Sequence, residues 1–259
     1  MREERTRMKT IAIMNNKGGV GKTITAINLA EILVAEHGKR VVLVDCDGQM
    51  NLTNFYFPKF DPEVNFDMAD LILGDDEPVW SENLMPVKPD LDLIPASTDL
   101  YQMDLEAIRD GAHEPLRLRE FVQSAEEDGE VDYFICDCPP GFTVASVAAL
   151  LAADEVIIPL TVDGFSIKGM EAMWRQLRTL KNTGVKIAGV LITQWHNSQV
   201  VHVGEKLIRS LDVPVFETTI RRTDKVPEST IERLPMAEYS PGSAATKDYR
   251  AFVREYLGV

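Results

Sequence analysis

Cysteine is scarce in this chain and basic charge is in short supply. The 259 residues include three cysteines, Cys46, Cys136 and Cys138, an odd number without C-x-x-C spacing, which argues against a disulfide framework and fits a reducing compartment. Cys136 and Cys138 share a face if they lie on a strand, but the neighbouring histidines or further cysteines of a metal site are missing, so all three read as buried strand thiols. Lysine and arginine number 27 against 41 acidic residues, a formal charge of −14. That averaged field repels nucleic acid and anionic membrane, so binding to either requires a local basic patch. No apolar run is long enough to span a bilayer, and none follows the charged start MREERTRMKT as a leader would. A cytoplasmic protein without membrane attachment is expected. Composition break, internal repeat and low-complexity tract are also absent, which predicts one domain over 9–259 after a short N-terminal extension, 1–8.

What is present is alternation. Apolar, β-branched runs at 10–15, 40–45, 91–96, 131–137, 155–160, 185–193 and 213–220 are separated by stretches of helical period. This pattern predicts an α/β fold with a mostly parallel central sheet covered by helices on both faces. A helix is expected from Lys22 to a left-handed cap at Gly38. Another, over 165–182, places Met170, Met173, Leu177 and Leu180 on one core-facing side, and a last one, over 244–259, aligns Tyr249, Phe252, Val253 and Tyr256 for docking on the sheet. The proline- and acid-rich stretch from Phe55 to Pro89 reads as surface loops around one short helix near MADLILGD.

The segment NNKGGVGKT, residues 15–23, lies between the first strand and the first helix. It ends as a phosphate loop does, in Gly21, Lys22 and Thr23, although Asn16 stands where G-x-x-x-x-G-K-[ST] has its first glycine. Gly18, Gly19 and Gly21 let the backbone approach phosphate oxygens, Lys22 reaches the β- and γ-phosphates, and the Thr23 hydroxyl can ligand Mg²⁺. Lys17 to Ile24, Val20 included, is the candidate nucleotide-binding segment. Carboxylates to organise metal and water follow at two strand ends: Asp45 and Asp47 in VDCDGQMNLT, and Asp137 in FICDCPPG. A calcium loop is not the reading of Asp45-x-Asp47, because Gly48 is misplaced and no acid closes the loop at the twelfth position.

With these motifs the chain resembles the ParA/MinD group of deviant Walker A ATPases, whose loop reads K-G-G-x-G-K-[ST]; KGGVGKT, Lys17 to Thr23, matches every specified position. Within the group it is most similar to the ParA/Soj branch. Asp45, Asp47, Gln49, Asn51 and Thr53 match its D-x-D-P-Q-x-N-x-T segment, with Gly48 replacing the proline. DCPPG, Asp137 to Gly141, matches the second switch, and TTIRRTDKVPEST resembles the late I-P-R-N-x-x-x-x-E-A segment near the base. The resemblance implies a P-loop NTPase-like fold, ATP and Mg²⁺ as cofactors, and an ATPase that is weak until a ParB-like activator stimulates it. It implies an ATP-bound homodimer in which Lys17 reaches the partner's phosphates. Asp47 would position the attacking water, with Asp45 and Asp137 supporting Mg²⁺ through its waters. The implied task is segregation of a plasmid, mobile element or chromosome by nucleoid-associated, non-specific DNA binding; the alternative is a positioning scaffold for a protein cargo. An electron-transfer ATPase like the nitrogenase iron protein would need a cysteine pair at the dimer seam, whereas Cys46, Cys136 and Cys138 adjoin motif strands.

The implied DNA surface must be found among few cations. Arg221, Arg222 and Lys225 are the first candidates, with base lining or pairing to surface acids as the alternative role. Lys168, Arg175 and Arg178, with Lys181 nearby, read as a solvated helix face. Soj-like proteins usually carry another arginine after the strand equivalent to VLIT, where this chain has His196, Asn197 and Ser198. The helix-turn-helix extension of long ParA proteins and the amphipathic membrane tail of MinD are not expected here.

Overall fold

The computed structural model describes residues 7–74, 79–110, 115–164, 169, 173–177 and 184–259. Among these, eight strands form one sheet: β1 (Lys9–Ile13), β2 (Val41–Asp45), β3 (Met85–Lys88), β4 (Leu91–Ile94), β5 (Tyr133–Asp137), β6 (Glu155–Thr161), β7 (Lys186–Trp195) and β8 (Val215–Arg221). Their order is β3-β4-β2-β5-β1-β6-β7-β8, and all neighbours are parallel except the edge pair β3–β4. The seven expected strands are therefore present. β3 is the one that the looped reading of 55–89 lacked: it runs back from β4 through Pro89 and Asp90, the latter left-handed at φ 63°.

Period-two alternation explains the two cores. Ile11, Ile13, Val41, Leu43 and Ile135 face one side with the helix α1 (Lys22–His37), while Ala12, Met14, Val42, Val44, Phe134 and Cys136 face the other. Both sides are buried, so the central strands are apolar throughout. At about 1.5–3 kcal/mol per fully buried large apolar side chain, these two layers are the main stabilising term. α1 ends at Gly38, φ 59°, whose N–H reaches Val34 O at 3.2 Å. The second core is covered by α3 (Met68–Leu73), α4 (Asp99–Asp110), α5 (Arg117–Asp128) and α6 (Val144–Ala152), following the short α2 (Asn51–Tyr56).

Later come α7 (Gln199–Arg209), α8 (Lys225–Glu232), α9 (Met236–Tyr239) and α10 (Ala244–Leu257). α10 docks on β8 and α1 through buried Tyr249, Phe252 and Val253, with Tyr256 packed at the margin. Met173 and Leu177 are buried as expected and Arg175 is exposed; Lys168, Met170, Arg178, Leu180 and Lys181 lie outside the described residues. Cys46, Cys136 and Cys138 are all buried in the second core. No helix among the described residues is long and apolar enough to cross a membrane.

Register then fixes the site. Ile13 pairs with Asp137 and Asp45 also pairs with Asp137, so the chain leaves β1, β2 and β5 at one rim, the carboxyl ends of the strands. The sheet's order reverses around β1, where parallel α/β sheets form their ligand crevice.

Candidate nucleotide site

The loop after β1 is fastened before it turns. Asn15, buried, donates from Nδ2 to Pro159 O at 2.7 Å and accepts the Lys17 N–H at Oδ1, 3.0 Å. Asn16 Nδ2 donates to Gln176 Oε1 at 3.1 Å. Gly19 and Gly21 adopt φ 72° and 91°, conformations that other residues reach only with strain. Two residues from the end of β7 brace the loop: the Thr193 hydroxyl donates to Val20 O at 2.7 Å, and Gln194 Nε2 donates to Gly19 O at 2.6 Å. Gln194 itself is left-handed at φ 52°. Such a loop, opening onto the N-terminus of α1, is an anion cradle.

Lys22 is 8% exposed and donates from Nζ to Lys17 O at 3.3 Å. Burial lowers its pKa, opposed by the charges of Asp137 and Asp47. Val20 is buried and Ile24 nearly so. A cavity of about 890 Å³ opens over the loop, lined by Gly18, Gly21, Lys22, Thr23, Asp47 and Gln49, and continues to the segment after β8. This volume suits a nucleotide.

The two strand-end acids differ. Asp45 is wholly buried and its oxygens are taken: Oδ1 accepts the Asp47 N–H at 3.1 Å, and Oδ2 accepts the Thr53 N–H and hydroxyl, both at 2.8 Å. Thr53 Oγ1 in turn accepts the Ala96 N–H at 2.9 Å. Burial pushes the Asp45 carboxyl up to about 6, the Thr53 hydrogen bonds notwithstanding. These hydrogen bonds pin the loop after β2 to the sheet through Asp45. Asp137 is equally buried, yet neither of its oxygens has a hydrogen-bond partner among the described residues. Its pKa is raised well above the usual range by burial first and by Asp45 second, while the Thr23 hydroxyl and Lys22 act the other way. An orphaned buried carboxylate next to a threonine hydroxyl and a phosphate loop fits Mg²⁺ with part of its water shell. Asp47 lines the cavity, its Oδ1 accepting the Gln49 N–H at 3.0 Å.

The remaining predicted residues separate. Lys17, next to the cavity-lining Gly18, is 43% exposed by side chain, and its ammonium pairs with Asp163 just beyond β6. Arg221 is held by Asp248 through Nε at 2.8 Å and Nη2 at 2.6 Å, and with Arg222 it lines the far end of the nucleotide cavity. Lys225 pairs with Glu228 at 2.6 Å. Arg221 thus both lines the cavity and pairs with an acid, Asp248. Sequence reasoning missed Asn15, Asp163, Thr193 and Gln194. The last three come from strand ends far along the chain, and only the sheet order could have signalled them.

A family model described as an AAA domain matches residues 8–188. The chain is 31% identical to the chromosome partitioning protein ParA of Caulobacter vibrioides over 256 residues, 96% of this chain and 94% of that one. It is likewise 31% identical to the sporulation initiation inhibitor protein Soj of Bacillus subtilis, over 95% and 97% of the two chains. Among solved structures, a putative plasmid partition protein from Borrelia burgdorferi bound to AMPPNP superposes with a TM-score of 0.81 at 23% identity, covering 97% of this chain and 99% of that one. The fastened loop, the orphaned carboxylate and these full-length matches lead to one statement: the chain belongs to the AAA-domain family matched over 8–188 and, within it, to the ParA/Soj group of P-loop ATPases.

Proposed function

We propose that residues 9–259 form an ATP-driven switch that dimerises when ATP is bound, holds non-specific DNA in that state, and segregates or positions a plasmid, mobile element or chromosome. The observation that carries the reading is the pairing of two lysines with different surroundings on one loop: Lys22 buried over the phosphate cradle, Lys17 exposed. Lys17 to Ile24 would wrap the triphosphate, with Lys22 on the β- and γ-phosphates. Thr23 and Asp137 would hold Mg²⁺, which when bound neutralises phosphate charge. Asp47, at the cavity wall, would orient the attacking water. Lys17 would act on the partner's phosphates, so that charge on the transferring group is neutralised only in the dimer. Turnover stays slow until a ParB-like activator completes the arrangement, and the bound state is a timer.

DNA contact in this reading falls to Arg221, Arg222 and Lys225, of which Arg221 also pairs with Asp248 and Lys225 with Glu228. An exposed pair such as Lys225–Glu228 is worth little and is readily exchanged for a phosphate. Retention on non-specific DNA should require ATP and Mg²⁺, disappear in moderate salt, and be absent in Lys22→Ala. ATP-dependent dimers of the intact protein that ignore DNA at low salt would instead favour the protein-cargo scaffold.

A further inference from the structure

In the open chain Lys17 is not a free cation waiting for a partner. Its ammonium pairs with Asp163, and Asp163 is itself oriented by the Thr161 hydroxyl, which donates to the same Oδ2 at 3.1 Å. Asp163 stands two residues beyond the end of β6, whose Pro159 carbonyl anchors Asn15 on the same loop. β6 is a direct neighbour of β1, so the pair bridges adjacent strand ends at the rim where a second copy would close. We propose that Asp163 is a positioning residue for Lys17: it holds the lysine in cis and sets the protein concentration at which the ATP-bound dimer forms. The inference rests on the reading that Lys17 acts across a dimer.

The physical argument is one of exchange. A lysine has one ammonium, and the pair with Asp163 and a contact with a partner's phosphate are mutually exclusive. Both side chains of the pair are about two-fifths exposed, which makes the latch weak. A multiply charged phosphate in a closing, water-poor interface is the stronger acceptor, so dimerisation proceeds, but each protomer must first give up its own pair. Two lysines are released per dimer, so a small effect is counted twice.

The test is sedimentation of Asp163→Asn with Mg²⁺ and a non-hydrolysable ATP analogue, beside the unaltered protein. Asn keeps the size and removes the charge. The expected result is dimerisation at a protein concentration about threefold to tenfold lower, with analogue affinity of the monomer unchanged and Asp163→Glu restoring the original threshold. In a Lys17→Ala background, monomeric in this reading, the added Asp163→Asn change should restore no dimer. An unchanged or raised threshold in Asp163→Asn, or a dimer that Asp163→Asn restores without Lys17, overturns the proposal. If the unaltered protein fails to dimerise at all, the dimer reading itself has failed, and that result is separable from the others.

Discussion

The ends of β2 and β5 lie side by side and carry the same residue in register, Asp45 against Asp137, yet the two segments solve opposite problems. After β2 the chain folds back on its own carboxylate: Asp45 gathers the Asp47 N–H and both donors of Thr53, and so fixes the first switch and α2. After β5 the chain passes into Pro139 and Pro140, one of which lines the cavity, and the Asp137 oxygens meet no hydrogen-bond donor within bonding geometry among the described residues. The first acid stabilises a loop. The second is a buried carboxyl whose oxygens accept no hydrogen bond among the described residues and which lies beside Lys22 and the Thr23 hydroxyl, as a group that takes a cation would.

That contrast can be broken by substitution. Asp45→Ala should lower the stability of the nucleotide-free protein by about 3 kcal/mol, since two buried donors and a half-buried one lose their acceptor; chemical denaturation measures it. A pH dependence of similar size should accompany the unaltered protein. The folded pKa of Asp45 is raised to about 6 from 3.8, so between these values the folded state binds more protons than the unfolded one, and stability falls as pH rises through that window. The loss amounts to about 3 kcal/mol for a two-unit shift. Asp137, raised by burial, shifts in the same direction and adds to the fall.

Asp137→Asn should act opposite to Asp45→Ala: above the raised pKa of Asp137 the nucleotide-free protein gains about 1 kcal/mol as the desolvated carboxylate is removed, the loss of its attraction to Lys22 offsetting part of the gain, while the magnesium dependence of nucleotide binding and hydrolysis disappears. A loss of stability in Asp137→Asn would show that the carboxylate is a structural acceptor after all. The smallest effect is expected from Thr53→Val, about 1 kcal/mol, because the hydroxyl relays between Asp45 and the Ala96 N–H. Its measurement separates the relay from the backbone bond that Thr53 keeps.

Much of this was legible in the sequence for identifiable reasons. Seven strands announced themselves because a sheet buried on both faces writes continuous apolar runs, and α1 because a glycine closes it. β3 was hidden by Pro86 and by an exposed edge position, which weaken both propensity and pattern. The phosphate loop was readable because its chemistry is local in sequence. The division of labour between Asp45 and Asp137 was not, because whether a carboxylate is saturated depends on donors such as Thr53 that approach in space. Asp163, Thr193 and Gln194 were invisible for the same reason: each acts on the loop from more than 140 positions away. The arginine segment after β8 has a partner of the same hidden kind: its charges are local in sequence, but Asp248, on a helix 27 residues later, pairs with Arg221.

The central claim is that Lys17 serves a second copy of the chain. Sedimentation of the unaltered protein and of Lys17→Ala, each with Mg²⁺ and a non-hydrolysable ATP analogue, tests it most directly. The account predicts a dimer for the first and an analogue-bound monomer for the second. A monomer in both, or a dimer of equal strength in both, contradicts it.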